Sequence, residues 1–240
     1  MANAVGDRWS EAELDEAVAL LTRADGRFPA GVRTLHPDLI RAVQRERLLA
    51  AMIKTVTEIG YNALTVQNIL TRAGISRPTF YEQFEDKEDC FLAAFDAAAG
   101  RMRQRIEVAA AAKADNGWRE QLRSGIAELL RFIAEEPEDA RTAIVEARAS
   151  SPAGLRRRDE MLDSYATCID ALVREDLDER PSAIAAAGVV GGIESVLYAR
   201  LQRGETGKLD ALLPSLMYFA VLAYAGQEAA GEELDDAALA

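Results

Sequence analysis

The chain has 240 residues, nearly half of them apolar, which is enough for one large or two smaller globular domains with real cores. Aromatic side chains make up 6% of the residues. Alanine, leucine, glutamate and arginine dominate, a mix that favours helix over strand. The net charge is −12, which by itself points away from nucleic acid. The acidity is uneven, however. Residues 33–92 carry eight basic and eight acidic side chains, whereas 93–240 carry 17 and 26. A neutral segment still presents a basic face locally, because charge acts over a Debye length of about 8–10 Å. No apolar run reaches the roughly 18 residues of a membrane span. The opening residues, MANAVGDRWSEAELDE, are acidic and lack the apolar core of a secretory signal. Cys90 and Cys168 read as cytoplasmic thiols rather than a disulfide scaffold.

In chain order, Ser10 and Glu13 form a capping-box pattern at the head of a short helix over 10–22. Residues 23–37, with two glycines, two prolines and three arginines, read as an extended arm. From Asp38, the residues Ile40, Val43, Leu49, Met52, Ile53, Val56 and Ile59 recur at helical spacing, apart from one six-residue gap, until Gly60 stops the helix. Thr65 opens a second helix that ends at Gly74. Ser76 opens a third, very short one, with Arg77-Pro78 in its first turn. A long helix covers about Asp86–Ala112, and Asp115-Asn116-Gly117 breaks it. Apolar-periodic segments follow at about 118–135, 138–149, 154–179, 182–203 and 208–228. No stretch alternates with the period of a strand. The acidic, alanine-rich tail is expected to fray.

Residues Leu64–Lys87, LTVQNILTRAGISRPTFYEQFEDK, carry the most information. They describe a helix, a glycine turn and a helix of about two turns. Gly74 supplies the positive φ of a steep helix–helix turn. Phe80 and Phe84, four apart, share one side. Arg77, Thr79, Tyr81 and Gln83 or Glu82 share the other, with groups suited to base edges and phosphates. Taken alone, such a polar side fits water as well as it fits DNA.

The pattern T-V-x-x-I-x-x-x-A-G-I-S-x-x-T-F-Y-x-x-F-x-x-K-E, with the preceding Gly60-Tyr61-Asn62-Ala63-Leu64, resembles the tetracycline-repressor (TetR) family of bacterial regulators over about residues 45–93. Gly191–Tyr198 resembles the penultimate helix of a subset of that family. The resemblance implies an all-α fold: a three-helix helix-turn-helix DNA-binding domain, then a six-helix ligand-binding and dimerisation domain. The expected divisions are an arm at 1–37, the DNA-binding domain at 38–92 with its motif at 65–84, a regulatory domain at 93–228 and a tail at 229–240.

By that resemblance Thr65 and Val66 begin the motif's first helix, where Thr65 holds a phosphate. Ser76, Arg77, Pro78 and Thr79 begin the recognition helix in the major groove, with Arg77 reading a guanine. Tyr81 and Lys87 meet phosphates. Glu82 departs from this scheme, since an acid repels phosphate. Arg27, Arg33 and Arg41 either reach the adjacent minor groove or belong to a self-packed tail. The last two long helices are expected to pair with a second copy through Gly188, Gly192, Ser195, Leu213, Leu216, Met217 and Ala220. A small hydrophobic ligand is expected among the middle helices, near Trp118, Leu122, Phe132, Ile144, Tyr165, Ile169, Leu172, Ile193 and Tyr198. Glu146 and Glu194 there either anchor a polar ligand group or pair with an arginine such as Arg148 or Arg200.

The implied function is a cytoplasmic transcriptional repressor that binds a palindromic operator in double-stranded DNA as a homodimer and is released by its ligand, without cofactor, metal or membrane. A ligand-independent or activating regulator is the alternative. An enzyme is disfavoured: there is one histidine, His36, and no glycine-rich phosphate loop, GxSxG or HExxH occurs.

Overall fold

The computed structural model describes residues 36–176, 182 and 184–238. The helix expected at 10–22, and the arm with Arg27 and Arg33 except for its last two residues, lie outside them. The described residues form helices and turns, with no strand among them. The boundary between two compact units falls between Ala94 and Phe95, inside one helix.

The first unit begins with α1 (Pro37–Ile59). Its N-cap is His36, whose Nδ1 accepts the Asp38 amide at 3.3 Å, and Pro37 takes the first helical position where no amide is needed. Leu39, Val43, Leu49, Met52, Ile53 and Val56 are buried, while Ile59, expected on the same face, is exposed. The gap between Val43 and Leu49 has a physical content. Leu48 is fully buried there, and Arg47 is buried as well; its Nη2 donates to the Ala73 carbonyl at 2.7 Å. A buried cation thus satisfies the open end of the next helix.

That helix is α2 (Val66–Ala73), followed by α3 (Arg77–Tyr81) and α4 (Lys87–Ala111). The second unit begins within α4. A 3-10 turn (Ala114–Asn116) leads to α5 (Gly117–Glu135), then α6 (Pro137–Arg141), a π turn (Thr142–Glu146) and α7 (Ala147–Ala149). Next come α8 (Pro152–Asp176), α9 (Ala185–Gln202), a 3-10 turn (Leu209–Leu212) and α10 (Leu213–Ala238). Counting α6, the π turn and α7 as one rod, these are the six helices the sequence predicts. Phe95, Met102, Trp118, Ile133, Leu197 and Met217 are among the residues of their common core.

Ion pairs between partly exposed arginines and carboxylates of other helices, two of them buried, tie the rods together. Arg105 of α4 donates to Glu128 and Glu135 of α5, and Arg101 donates to Asp139 of α6 at 2.6 Å. The α5 amide of Trp118 donates to Asp176 at 2.7 Å, so the end of α8 caps the start of α5.

The expectation of a frayed tail is corrected. Gly226 (φ 80°, ψ −177°) breaks α10, and the helix resumes to Ala238. Ala230 and Glu233 are fully buried. Glu233 receives Nε and Nη2 of Arg119 at 2.9 and 2.6 Å, and Arg123 as well. An acidic tail frays only when its charges lack partners, and two arginines of α5 supply them.

The expectation that no stretch is long enough for a membrane span is also amended. Leu209–Leu234 passes by length and composition, and only 28% of its most apolar window is buried. The exposed remainder includes Phe219 and Leu222.

Glu233→Ala should lower stability by about 1–3 kcal/mol, because two arginines lose a desolvated partner. Urea unfolding of the full chain measures this, and an unchanged midpoint would mean that the pinned tail contributes nothing.

Candidate nucleic-acid interface and effector cavity

In the first unit, α2 opens with reciprocal caps. The Asn68 amide donates to Thr65 Oγ1 at 3.3 Å, and the Thr65 amide donates to Asn68 Oδ1 at 2.9 Å. Its end is Gly74 (φ 65°, ψ 34°), left-handed, with the Gly74 amide on Leu70 O. Ser76 caps α3 by accepting the Thr79 amide at 3.4 Å, and its hydroxyl lies 2.8 Å from Thr79 Oγ1. Phe80 and Phe84 are buried with ring centroids 5.6 Å apart. Arg45 lies over the Phe84 ring at 4.5 Å, and Gln83 Nε2 donates to the Arg41 carbonyl at 2.9 Å.

Burying Phe80 turns the other side of α3 outward. Arg77, Pro78 and Tyr81 are exposed, with Thr79 half-buried beside them. Thr65 is exposed at the head of α2, with Val66 half-buried next to it. Arg77 is steadied by donating Nη2 to Gln67 Oε1 at 3.0 Å. That bond holds a guanidinium across α2 and α3 before any ligand arrives. Glu82 is exposed at the C-cap of α3, past the helix start where the polar cluster lies.

Lys87 has a further role that the sequence did not indicate. Its Nζ donates to the carbonyls of Tyr61 and Leu64 at 3.1 and 3.0 Å and sits 4.3 Å from the Tyr61 ring centroid. Two of its three N–H donors therefore hold the turn between α1 and α2. Burial, then the charges of Glu88 and Asp86, raise the Tyr61 phenol pKa. Cys90 is buried and its thiol is pushed well up, chiefly by desolvation.

In the second unit, a cavity of about 210 Å3 lies among α4, α5, the π turn, α8 and α9. Its wall is mostly apolar, with Ile106, Leu129 and Met161 beside the expected Leu122, Ile144, Ile169, Leu172 and Ile193. Tyr165 and Glu194 also line it. The Tyr165 hydroxyl is buried without a hydrogen-bond partner, and burial raises its pKa. Glu194 is bound by Arg148 and by Arg158 Nη2 at 2.9 Å. Of the two readings open for Glu194, pairing with an arginine is the one found. Arg200 instead engages Glu205.

Four expected lining residues are not in the wall. Trp118 packs against Tyr224 in the core, with centroids 5.8 Å apart. Phe132 is buried beneath Arg105. Glu146 is buried and paired with Arg141 at 3.1 Å. Tyr198 lies under Arg148, 4.1 Å from its ring centroid. Each sits on a helix whose apolar surface is wider than the cavity.

The expected pairing face is corrected in the same way. Leu216, Met217 and Ala220 are buried in their own unit, and Leu213 is half-buried against its core. A Cβ at Gly192 would stand 2.6 Å from Phe219 Cε1, so this glycine serves the approach of α10 in the same chain. Gly188 and Ser195 are exposed, together with Ala187, Gly191 and Val196. On α10 the exposed side holds Ser215, Phe219, Leu222 and Ala223. Side chains added at Gly188 and Gly191 would meet nothing.

Two capped helices, a left-handed glycine between them and an outward polar edge define a helix-turn-helix protein of the all-α class. The chain resembles the bacterial regulatory proteins of the tetR family, whose model its residues 48–94 match. It is 28% identical over 113 residues to the HTH-type transcriptional activator FasR of Mycolicibacterium smegmatis, covering 47% of this chain and 51% of that protein. It is 25% identical over 131 residues to the fatty acid metabolism regulator protein of Bacillus subtilis, covering 55% and 66%. The chain thus matches only half to two thirds of the length of these relatives. The fold is shared with the transcriptional regulator FadR of Bacillus subtilis in complex with stearoyl-CoA. That likeness has a TM-score of 0.65 and 23% identity, over 75% of this chain and 98% of that one.

Lys87→Ala should destabilise the chain by about 1–3 kcal/mol with no DNA present, because two turn carbonyls lose a charged donor. Thermal melting tests this, and an unshifted melt would return Lys87 to a purely surface role.

Proposed function

We propose that the chain is a sequence-specific DNA-binding transcriptional regulator, working in the cytoplasm as a homodimer on a palindromic operator and released by a small apolar ligand. It acts by binding rather than by catalysis. The observation that carries this reading is α3. Phe80 anchors a five-residue helix whose Arg77, Pro78 and Tyr81 are exposed and whose start is capped by Ser76. Arg77 is the base reader, and Thr65, Ser76, Thr79 and Tyr81 position it on the backbone. The domain roles follow the expected divisions, with DNA at 38–92 and regulation at 93–228.

The similarity to regulators named for fatty acid metabolism, and to one holding stearoyl-CoA, supports an acyl compound as the ligand of the apolar cavity. Met102, Ile106 and Ala110 of α4 line that cavity, and Lys87 begins the same helix. Tenfold release needs a coupling of about 1.4 kcal/mol between the two binding events. The name of the first relative, a transcriptional activator, supports the second reading, in which the bound form raises transcription. The pairing face is the exposed side of α9 and α10, with Ala187, Gly188, Gly191, Ser195, Val196, Phe219 and Leu222.

Selection of bound sequences from random duplexes tests the function, and recovery of no common motif would overturn it. Arg77→Ala should weaken cognate binding by about 1–3 kcal/mol and relax preference at one base per half-site. An unaltered motif would remove Arg77 as reader. Leu222→Arg should give a folded monomer by sedimentation and circular dichroism, with operator affinity lost. A stable dimer would place the seam elsewhere.

A further inference from the structure

The hydrogen bond between Gln67 and Arg77 joins α2 and α3 on their outer side, where both residues are exposed. It is not what holds the turn, since Gly74, the Ser76 cap and the buried Phe80 already do so. Its orientation follows from chemistry. Arginine donates hydrogen bonds and accepts none, so the Gln67 amide must turn its oxygen toward Arg77. The NH2 group then faces the other way, and Nε2 donates to Thr71 Oγ1 at 3.2 Å. Thr71 stands one turn further along the same face of α2. A relay thus runs from Thr71 through Gln67 to Arg77.

The base of this relay is fixed. Helix α2 is closed at its head by the Thr65–Asn68 exchange and at its end by Arg47 on the Ala73 carbonyl. Arg72 ties it to Glu58 of α1. Arg72 is held by a carboxylate, whereas Arg77 is held by a neutral amide. A carboxylate beside Arg77 would grip the guanidinium but offset its charge and repel a phosphate backbone. An amide directs the fork and leaves its positive charge undiminished. It also leaves the other N–H groups of Arg77 open for a two-bond contact with guanine O6 and N7.

An exposed arginine without a brace reaches phosphates as readily as bases, and a phosphate contact carries no sequence information. Holding the planar fork in one direction removes part of the rotamer entropy that a bidentate contact costs. The gain goes to the base that needs that direction.

We propose that Gln67, oriented by Thr71, is a positioning residue for base reading: it aims Arg77 and so determines how strongly one base of each half-site is preferred. This rests on the reading of α3 as the recognition helix and of Arg77 as its base reader. It adds a specificity determinant on the other helix of the motif.

Competition binding of the full chain tests the proposal, on duplexes carrying the selected motif with each half-site base replaced in turn. Arg77→Ala identifies the base that Arg77 reads. Gln67→Met, similar in length but without the amide, should reduce the preference at that same base about three- to tenfold. Its affinity for an unrelated duplex should not change. Thr71→Val should act in the same direction by less. Gln67→Glu, which keeps an acceptor, should retain the preference while its added negative charge weakens binding to every duplex. In an Arg77→Ala background, Gln67→Met should change nothing further at that base. Circular dichroism melts establish that each variant is folded. An undiminished preference in Gln67→Met, or equal weakening on all duplexes, would overturn the positioning role. Loss of preference in Gln67→Glu as well would overturn the hydrogen-bond account. An effect of Gln67→Met that persists without Arg77 would make Gln67 a reader in its own right and overturn the relay. If Arg77→Ala leaves every base preference unaltered, the reading of Arg77 falls and the relay with it.

Discussion

A five-residue helix has no stability of its own, because its nucleation cost is never repaid by propagation. Everything that α3 presents to a partner depends on the burial of Phe80 and Phe84 beneath it. The caps contribute next: Ser76 at its start, Gly74 in the turn before it, and the Thr65–Asn68 exchange at the head of α2. Arg47 completes the arrangement from α1 by closing the Ala73 carbonyl. This cation of the first unit therefore works inside the fold, and so, in part, does Lys87. The groups left outward on α3 are the ones the packing does not need.

The local features were legible in the sequence. Helix ends at Gly60, Thr65, Gly74 and Ser76 follow from short-range chemistry, and the three-to-four spacing of apolar residues located each rod. What was not legible depends on partners far along the chain. Glu233 meets Arg119 across 114 residues, so an acidic, alanine-rich stretch that reads as frayed becomes a pinned strap. Helices α5 and α10 carry apolar residues over broad surfaces, and periodicity does not say which edge faces a cavity, a core or a second chain. Trp118 and Phe132 were placed in the cavity wall, and Leu216, Met217 and Ala220 on the pairing face, for that reason. The small residues of α9 divide similarly. Gly192 admits Phe219, whereas Gly188 and Gly191 face open space.

The second unit is unusually reliant on arginine. Guanidinium groups from α4, α5 and α8 hold carboxylates on other rods, several of them buried, where a removed partner costs more than the pair contributes. Such pairs specify register. Two of them, from Arg148 and Arg158, fix Glu194 at the edge of the mostly apolar cavity.

The break at Gly226 also sets a ruler. Before it, α10 runs straight for thirteen residues from Leu213, or about 20 Å at 1.5 Å per residue. The exposed apolar edge of Phe219 and Leu222 lies within that length, and beyond it the chain turns back to the arginines of α5. Helix α9, with 18 residues, spans about 27 Å. Any surface these two helices jointly offer is bounded by the shorter rod. A single backbone dihedral thus limits how far two molecules can overlap along their axes, and extra residues at the C-terminus would lengthen the strap without extending the contact.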